Sequence, residues 1–385
     1  MRTIVLASML VILLIPAEFS ADVSFSTLVP KTAKSMAMGG VFTAVPSSEF
    51  CFFGNPAFFD SNRRSYTLPS LDIWAYGRPR ADDIGSFGSI LGAAGGGGDF
   101  LSKAYKYMSK DEGSGGGASA GLSLTGRGVG LGFFMTTDNR IEGSDSGRTV
   151  RADTEATGVL GIGFPIPLGS ARLSLGGDLR PFYRIRLRDA NGGDPTLEDI
   201  LDGNSEKLYA DSFFGAAVDL GASLAFGAFT VGMSIRDIAP GYPISTEKLS
   251  KLQAMLSSGN TPETSSTADQ ARLTPIVAAG ISWAPGIAPG KIDPALYLEL
   301  QDLVGAAKGW DGPGSIRDLL HAGVELRFFK LLAIRGGVNR GRLSAGAGLK
   351  LLFLDLNAAV FTEELGALPG DNSSSGLALE AAIRL

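Results

Sequence analysis

Residues 213–235 constrain the fold more than any other stretch. Phe213 to Ile235 is 23 residues long with one charge, Asp219, and as a helix it would cross the ~30 Å hydrocarbon core of a bilayer. Gly215, Gly221, Gly227 and Gly232 weigh against a helix. The alternation decides the matter. Phe214, Ala216, Val218, Leu220, Ala222, Leu224 and Phe226 fall on one face of a strand, and Gly215, Ala217, Asp219, Gly221 and Ser223 on the other. Gly227 then marks a turn into a second run, Phe229, Val231, Met233 and Ile235, so the segment reads as a hairpin.

Applied along the whole chain, the same reading predicts fourteen strands, near residues 65–76, 116–125, 128–137, 153–165, 171–187, 211–226, 228–237, 272–284, 294–304, 318–328, 331–338, 342–351, 353–363 and 375–385. The tenth is the clearest, with Leu320, Ala322, Val324, Leu326 and Phe328 alternating with His321, Gly323, Glu325 and Arg327. A half-buried strand of a soluble sandwich has the same pattern, so count and loop length must decide. The connections alternate between long (77–115, 138–152, 188–210, 238–271, 305–317, 339–341, 364–374) and a few residues, the longest short one being Pro285 to Asp293. Long outer loops, short inner turns and an even strand number describe a bacterial outer-membrane barrel. Leu377, Leu379, Ala381, Ile383 and Leu385 carry the alternation to the last residue, which lets the final strand close against the first. The expected fold is therefore all-β, a 14-stranded antiparallel transmembrane barrel formed by residues 65–385.

Glycine, 53 of 385 residues with no collagen-like period, suits such a wall. A net charge of -5 and no basic tract give no support to nucleic-acid binding. At the start, Met1-Arg2-Thr3 followed by the apolar run Ile4 to Ile15 reads as a signal peptide over residues 1–21. The single cysteine, Cys51, excludes an internal disulfide and lies too far downstream to be a lipidated first residue.

Between leader and barrel lies an apolar segment, 22–64, read as an N-terminal hatch plugging the lumen. Gly39-Gly40 allows a sharp turn, and Asn55-Pro56 forces an extended or turn conformation before Ala57, Phe58 and Phe59. Phe52 and Phe53 complete a greasy cluster; an ordinary loop entering a soluble core is the plainer reading. The arrangement Ala37-Met38-Gly39-Gly40, Phe42-Thr43-Ala44-Val45 and Asn55-Pro56-Ala57 resembles the hatch of FadL-type long-chain fatty-acid transporters, a superfamily shared with PorV-like proteins of a secretion system. Pro46-Ser47-Ser48-Glu49 and Gly54 depart from its usual pattern. The resemblance implies a fourteen-stranded barrel and a hydrophobic cargo.

Chemistry-bearing residues are few. The one histidine, His321, faces the lumen beside Glu325 and Arg327 with no serine nucleophile motif near it, so no catalytic residue is assigned. One His and one Cys make no ordinary metal site, and no cofactor is expected. The fifth strand aligns Arg172, Asp178, Arg180, Arg184, Arg186 and Arg188 on one face, which must point inward because charge facing mid-bilayer is costly. These arginines either pair with inward Glu299, Glu325, Asp355 and Glu380 or hold a ligand carboxylate. Arg180, Arg184, Arg186, His321 and Arg327 are the candidate lumenal ligand residues.

The leading expectation is a monomeric outer-membrane channel, surrounded by lipid, for uptake of hydrophobic molecules, foremost long-chain fatty acids, without an energy source of its own. The rival is a PorV-like docking or shuttle barrel using its outer loops, or a structural outer-membrane protein. A diffusion porin is a third reading, against which the apolar plug counts.

Overall fold

A computed structural model describes residues 23–60, 64–77, 113–143, 147–201, 207–258, 270–304, 316–364 and 373–385. The leader reading falls outside those residues, as does most of the first long connection, 77–115.

A short β1 (Val23–Phe25) and helix α1 (Ala33–Ala37) precede the wall. The wall begins with β2 (Ser65–Gly77), β3 (Ser114–Gly126), β4 (Val129–Glu142), β5 (Thr149–Leu168) and β6 (Ala171–Arg188). Helix α2 (Leu197–Leu201) leads to β7 (Tyr209–Phe226) and β8 (Phe229–Ile238). The next connection holds β9 (Gly241–Pro243), β10 (Ser245–Lys248), α3 (Leu249–Ser257) and β11 (Gln270–Leu273). The wall resumes with β12 (Ile276–Trp283), β13 (Ile292–Leu300), β14 (Leu320–Phe328) and β15 (Leu332–Asn339), and ends with β16 (Arg342–Leu351), β17 (Leu354–Glu364) and β18 (Ser373–Arg384). Each wall strand pairs antiparallel with its neighbours, β8 with β12 and β18 with β2, so the barrel closes and buries its edges. The seam is completed by Leu385 and Tyr66, whose backbones exchange two hydrogen bonds of 2.9 and 3.0 Å.

The fourteen-strand expectation holds, with local corrections. The predicted strand 272–284 divides: Gln270–Leu273 leaves the wall and pairs with β1 in parallel and with β9, while only Ile276–Trp283 stays in the barrel. Near the inner end of β5, Pro165 and Pro167 lie inside the pairing with β6, so that strand runs to Leu168 rather than 165. The ninth strand stops at Leu300 rather than 304, and the long connection 238–271 carries strand over Ser245–Lys248 and helix over Leu249–Ser257. Thr196 caps α2 through its hydroxyl, which accepts from the Asp199 N–H.

Alternation follows from the two solvents on either side of the wall. Leu71, Leu131, Phe133, Leu160, Phe214, Leu296, Ile334 and Val360 are exposed on the outside, all around the circumference. In water such a belt would be an association surface; in hydrocarbon it is what a barrel needs, and the protein is a transmembrane barrel of the bacterial outer-membrane type. The short turns mark the inner end and the long connections the outer end. Inward positions alternate with these and carry Asp153, Glu155, Arg180, Arg184, Asp219, Glu299 and Glu325, all buried.

Residues 26–60 run through the interior. Helix α1 lies against β15–β18, and the 3-10 turn Pro56–Asp60 against β5–β7. Close approach explains many wall glycines. A Cβ on Gly161 would enter the Phe59 ring, and one on Gly176 the Pro56 carbonyl; on Gly221 it would meet the Asn55 amide, and on Gly337 the Gly39 backbone. The wall is bare where the plug touches it. Gly39 itself has φ of 71° and carries no space for a side chain beneath the carbonyls of Ala322 and Val338.

Candidate functional site

The interior segment, residues 26–60, is fastened by buried polar groups. Glu299 accepts from the backbone N–H of Phe42 (2.9 Å) and of Thr43 (2.7 Å), from the Thr43 hydroxyl (2.7 Å) and from the Gln301 amide (2.9 Å). A carboxylate buried this way is compensated by charge-assisted hydrogen bonds. Across the lumen, the Asn55 amide donates to Thr43 O (2.8 Å) and to Ala222 O (3.1 Å) while its oxygen accepts from Ala57 N–H (3.0 Å). Asn55 thus ties two plug segments to the wall and sets the turn into Pro56, as the Asn-Pro pair suggested. Lys31 bonds Glu363 at 2.6 Å, and although burial opposes its charge, that carboxylate raises its pKa. For Glu49, burial works to raise the pKa, yet Arg384 and Lys34 hold it down at about 2.

The lumenal arginines have partners. Arg180 bonds Asp219 (3.2 Å) and Asp237, with the Thr27 hydroxyl on the same Asp237 oxygen (2.8 Å). Arg184 bonds Asp153 (3.1 Å), Glu155 (3.3 Å) and the carbonyl of Ser26 (2.6 Å); Arg186 shares Asp153 at 2.8 Å. Arg327 reaches Glu325 (3.1 Å), whose other oxygen is held by Arg335 at 2.7 Å. His321 Nδ1 lies 2.8 Å from Gly39 O, and its Nε2 is buried with no hydrogen-bond partner among the described residues. The five candidate ligand residues therefore do not converge on one point. The arginines of the fifth strand do not reach Glu299, Glu325, Asp355 or Glu380; cross-strand register puts Arg184 opposite Glu155 and Arg186 opposite Asp153.

One guanidinium is different. Arg236 is buried, donates to Phe53 O and stacks over Phe42 at 4.8 Å, but makes no ion pair among the described residues. Its inward phase is implicit in the alternation of Met233 and Ile235, though sequence alone did not single it out.

Between the plug and strands β2–β4 lies a cavity of about 60 Å³. Its apolar side consists of Phe42, Phe50, Phe52, Phe53 and Phe134, bordered by Val29. Phe134 sits 5.3 Å from Phe52 and 4.9 Å from Phe53, centroid to centroid, in tilted and edge-on contact. Thr67, Ser70, Asp72 and Ser123 of the wall form the polar side, with Glu49 and Arg384 at its end. Of the four expected hatch aromatics, Phe52 and Phe53 line this space, while Phe58 and Phe59 are buried in the same aromatic cluster behind it. A second, charged cavity of about 500 Å³ opens at the inner end, bordered by Lys34, Glu325, Arg327, Arg335 and Asp355.

No protein-family model matches the chain. No curated protein matches it either. Among solved structures it is similar to the toluene transporter TodX of Pseudomonas putida, at 10% identity and TM-score 0.45, covering 95% of this chain and 99% of that one. A Pseudomonas aeruginosa FadL homologue gives 12% identity and TM-score 0.43, with 94% and 99% covered. A TodX mutant described as a monoaromatic hydrocarbon channel gives 10% and 0.47, with 92% and 98% covered. Likenesses this distant do not decide cargo or mechanism.

Proposed function

We propose that the protein is an uptake channel for hydrophobic molecules across the outer membrane, and that residues 22–64 form its hatch. The observation that carries this reading is the phenylalanine-lined cavity held between plug and wall inside a closed barrel. A barrel meant for free diffusion of polar solutes has no use for Phe42, Phe52 and Phe53 in its lumen. Burying an apolar cargo against them supplies about 0.8 kcal/mol per methylene without any energy source. The hatch motif from Ala37 to Ala57, which resembles that of FadL-type transporters, supports the same reading.

Long-chain fatty acid is the finer proposal. Its carboxylate would be held by Arg236 in place of the paired Arg180, Arg184 and Arg186, since only that buried guanidinium has a free Nε and no ion pair among the described residues. Uptake into proteoliposomes tests both levels. Radiolabelled oleate and a small aromatic hydrocarbon are compared for the native chain, Ser123→Trp, which fills the cavity, and Arg236→Gln. Protein-dependent uptake lost in Ser123→Trp supports the channel. Oleate uptake lowered in Arg236→Gln, with the hydrocarbon unaffected, supports the fatty-acid reading. Absence of uptake of either compound by the native chain rejects the channel.

A further inference from the structure

The charged cavity at the inner end joins two chemistries. Ala333 of β15 and Gly348 of β16 face inward as a registered pair, and with so little side chain between them they leave a hollow. Their neighbours Leu332 and Leu349 pair in the same ladder but face outward and are exposed, and they border the same space, as do Leu331 and Leu352 of the adjoining turns. The cavity therefore straddles the rim, with the lumen on one side and the lipid face on the other. Six cationic side chains border it against four carboxylates. Three of the cations are committed: Arg384 bonds Glu380 at 2.6 Å and Asp355 at 2.9 Å, Arg335 bonds Glu325 at 2.7 Å and Asn357 at 2.8 Å, and Lys34 reaches Glu49 at 3.4 Å. The other three are loosely held. Arg327 lies 3.1 Å from Glu325 and Lys350 3.8 Å from Asp355, each with its side chain 53% exposed, and the Lys330 ammonium makes no ion pair among the described residues.

A concave mouth with an excess of one charge concentrates counter-ions, and its volume of about 500 Å³ lies within the range of about 300–1,000 Å³ of ordinary small-molecule sites. Lys34, Ser47 and Glu49 of the interior segment form its lumenal side, so a molecule that passes the plug on this side arrives here. A small free anion would satisfy the cations and leave the leucines unused. A neutral alkyl chain would cover the leucines and leave the cations unused. Resting on the uptake reading, we infer that this mouth is an exit site for single-chain amphiphiles with an anionic head, a carboxylate or a phosphate ester. Arg327, Lys330 and Lys350 take the head, and the chain crosses the rim onto Leu332, Leu349 and Leu352, where burial of its methylenes favours passage into the inner leaflet. Arg236 stands near the outer end of β8, so this is a second cationic position, at the opposite end of the lumen.

Photoaffinity labelling of the full barrel in phosphatidylcholine nanodiscs tests this, with laurate carrying a diazirine on its chain as the probe, at a pH where the carboxylate is ionised. Mass spectrometry should place the label on residues 331–352. Unlabelled laurate or dodecyl phosphate should suppress it at least tenfold, and the stronger of the two identifies the preferred head; dodecanol, acetate and inorganic phosphate should leave it within about twofold. Lys330→Gln combined with Lys350→Gln should lower it at least tenfold, whereas Lys291→Gln, an exposed inner-turn lysine outside the cavity, should leave it within about twofold. Equal labelling of this segment by the matching diazirine alcohol, or competition by inorganic phosphate equal to that by dodecyl phosphate, overturns the inference. The position of the label on the native chain decides the matter even if a variant fails to fold. Proteoliposome uptake of oleate without labelling of this segment would reject the exit site and leave the channel standing; neither uptake nor labelling would reject both.

Discussion

Adjacent glycines on β6 give a direct test of how the plug is seated. Gly176 faces inward, and a Cβ there would run into the Pro56 carbonyl and lie 2.7 Å from Ala57 N, whereas ordinary contact begins at 3.4 Å. The plug backbone would have to retreat by about 0.7 Å at that atom, 3.4 less 2.7, and by more at Pro56. Gly177, one residue on, faces outward, and its Cβ would meet the flexible tip of Leu220 at 3.3 Å and a carbonyl at 3.4 Å. Overpacking against backbone costs about 1–3 kcal/mol; a side-chain tip yields at little cost. Gly176→Ala should therefore raise the population of an unseated plug roughly 5- to 150-fold, and Gly177→Ala should change it little. The native Cys51 reports this, because it is fully buried and burial pushes its thiol pKa up. Maleimide labelling of the folded barrel should be slow in the native chain and in Gly177→Ala and faster in Gly176→Ala, with heat-modifiable gel mobility confirming an intact wall in all three. Equal labelling of the two variants would refute the claim that the inward glycine exists to admit the plug.

Glu299→Gln should likewise loosen the plug by about 2–4 kcal/mol, since an amide cannot accept all the donors now bound, and liposome swelling in small sugars should show a leak absent from the native barrel. Glu49 has a folded pKa of about 2 against an ordinary 4.5; its contribution, about 3 kcal/mol, is present above pH 4.5 and lost as pH falls through about 2, so intrinsic fluorescence should report an acid transition in that window that Glu49→Gln lacks. Val324→Arg places a charge on the lipid face and should reduce insertion into vesicles by about 2–4 kcal/mol near mid-bilayer, whereas Gly336→Ala, also outward with its nearest neighbour at 3.5 Å, should insert normally. On intact cells, Lys251→Cys in α3 should react with an impermeant thiol reagent and Ile287→Cys in the turn between β12 and β13 should not; the opposite pattern inverts the topology.

What the sequence determined by itself is the wall. Lipid on one side and a polar interior on the other impose a period of two that each strand carries locally, so Phe214 against Asp219 and Val324 against Glu325 reveal strand, phase and count without knowledge of any partner. The turns of the segment that runs through the interior were legible for a similar reason, because Gly39-Gly40 and Asn55-Pro56 encode them in place. Tertiary structure alone decided everything that depends on register or on the path of the plug. That Arg184 meets Glu155 and Arg186 meets Asp153 depends on the offset between β5 and β6, and that Asp72 meets Glu380 depends on closure between strands some three hundred residues apart. No local pattern separates a lumenal arginine held in an ion pair, such as Arg184, from one, such as Arg236, that makes none among the described residues. Likewise nothing beside Gly176 or Gly337 marks them as seats for Pro56 and Gly39: an absent side chain acquires meaning only when another part of the chain occupies the space it leaves.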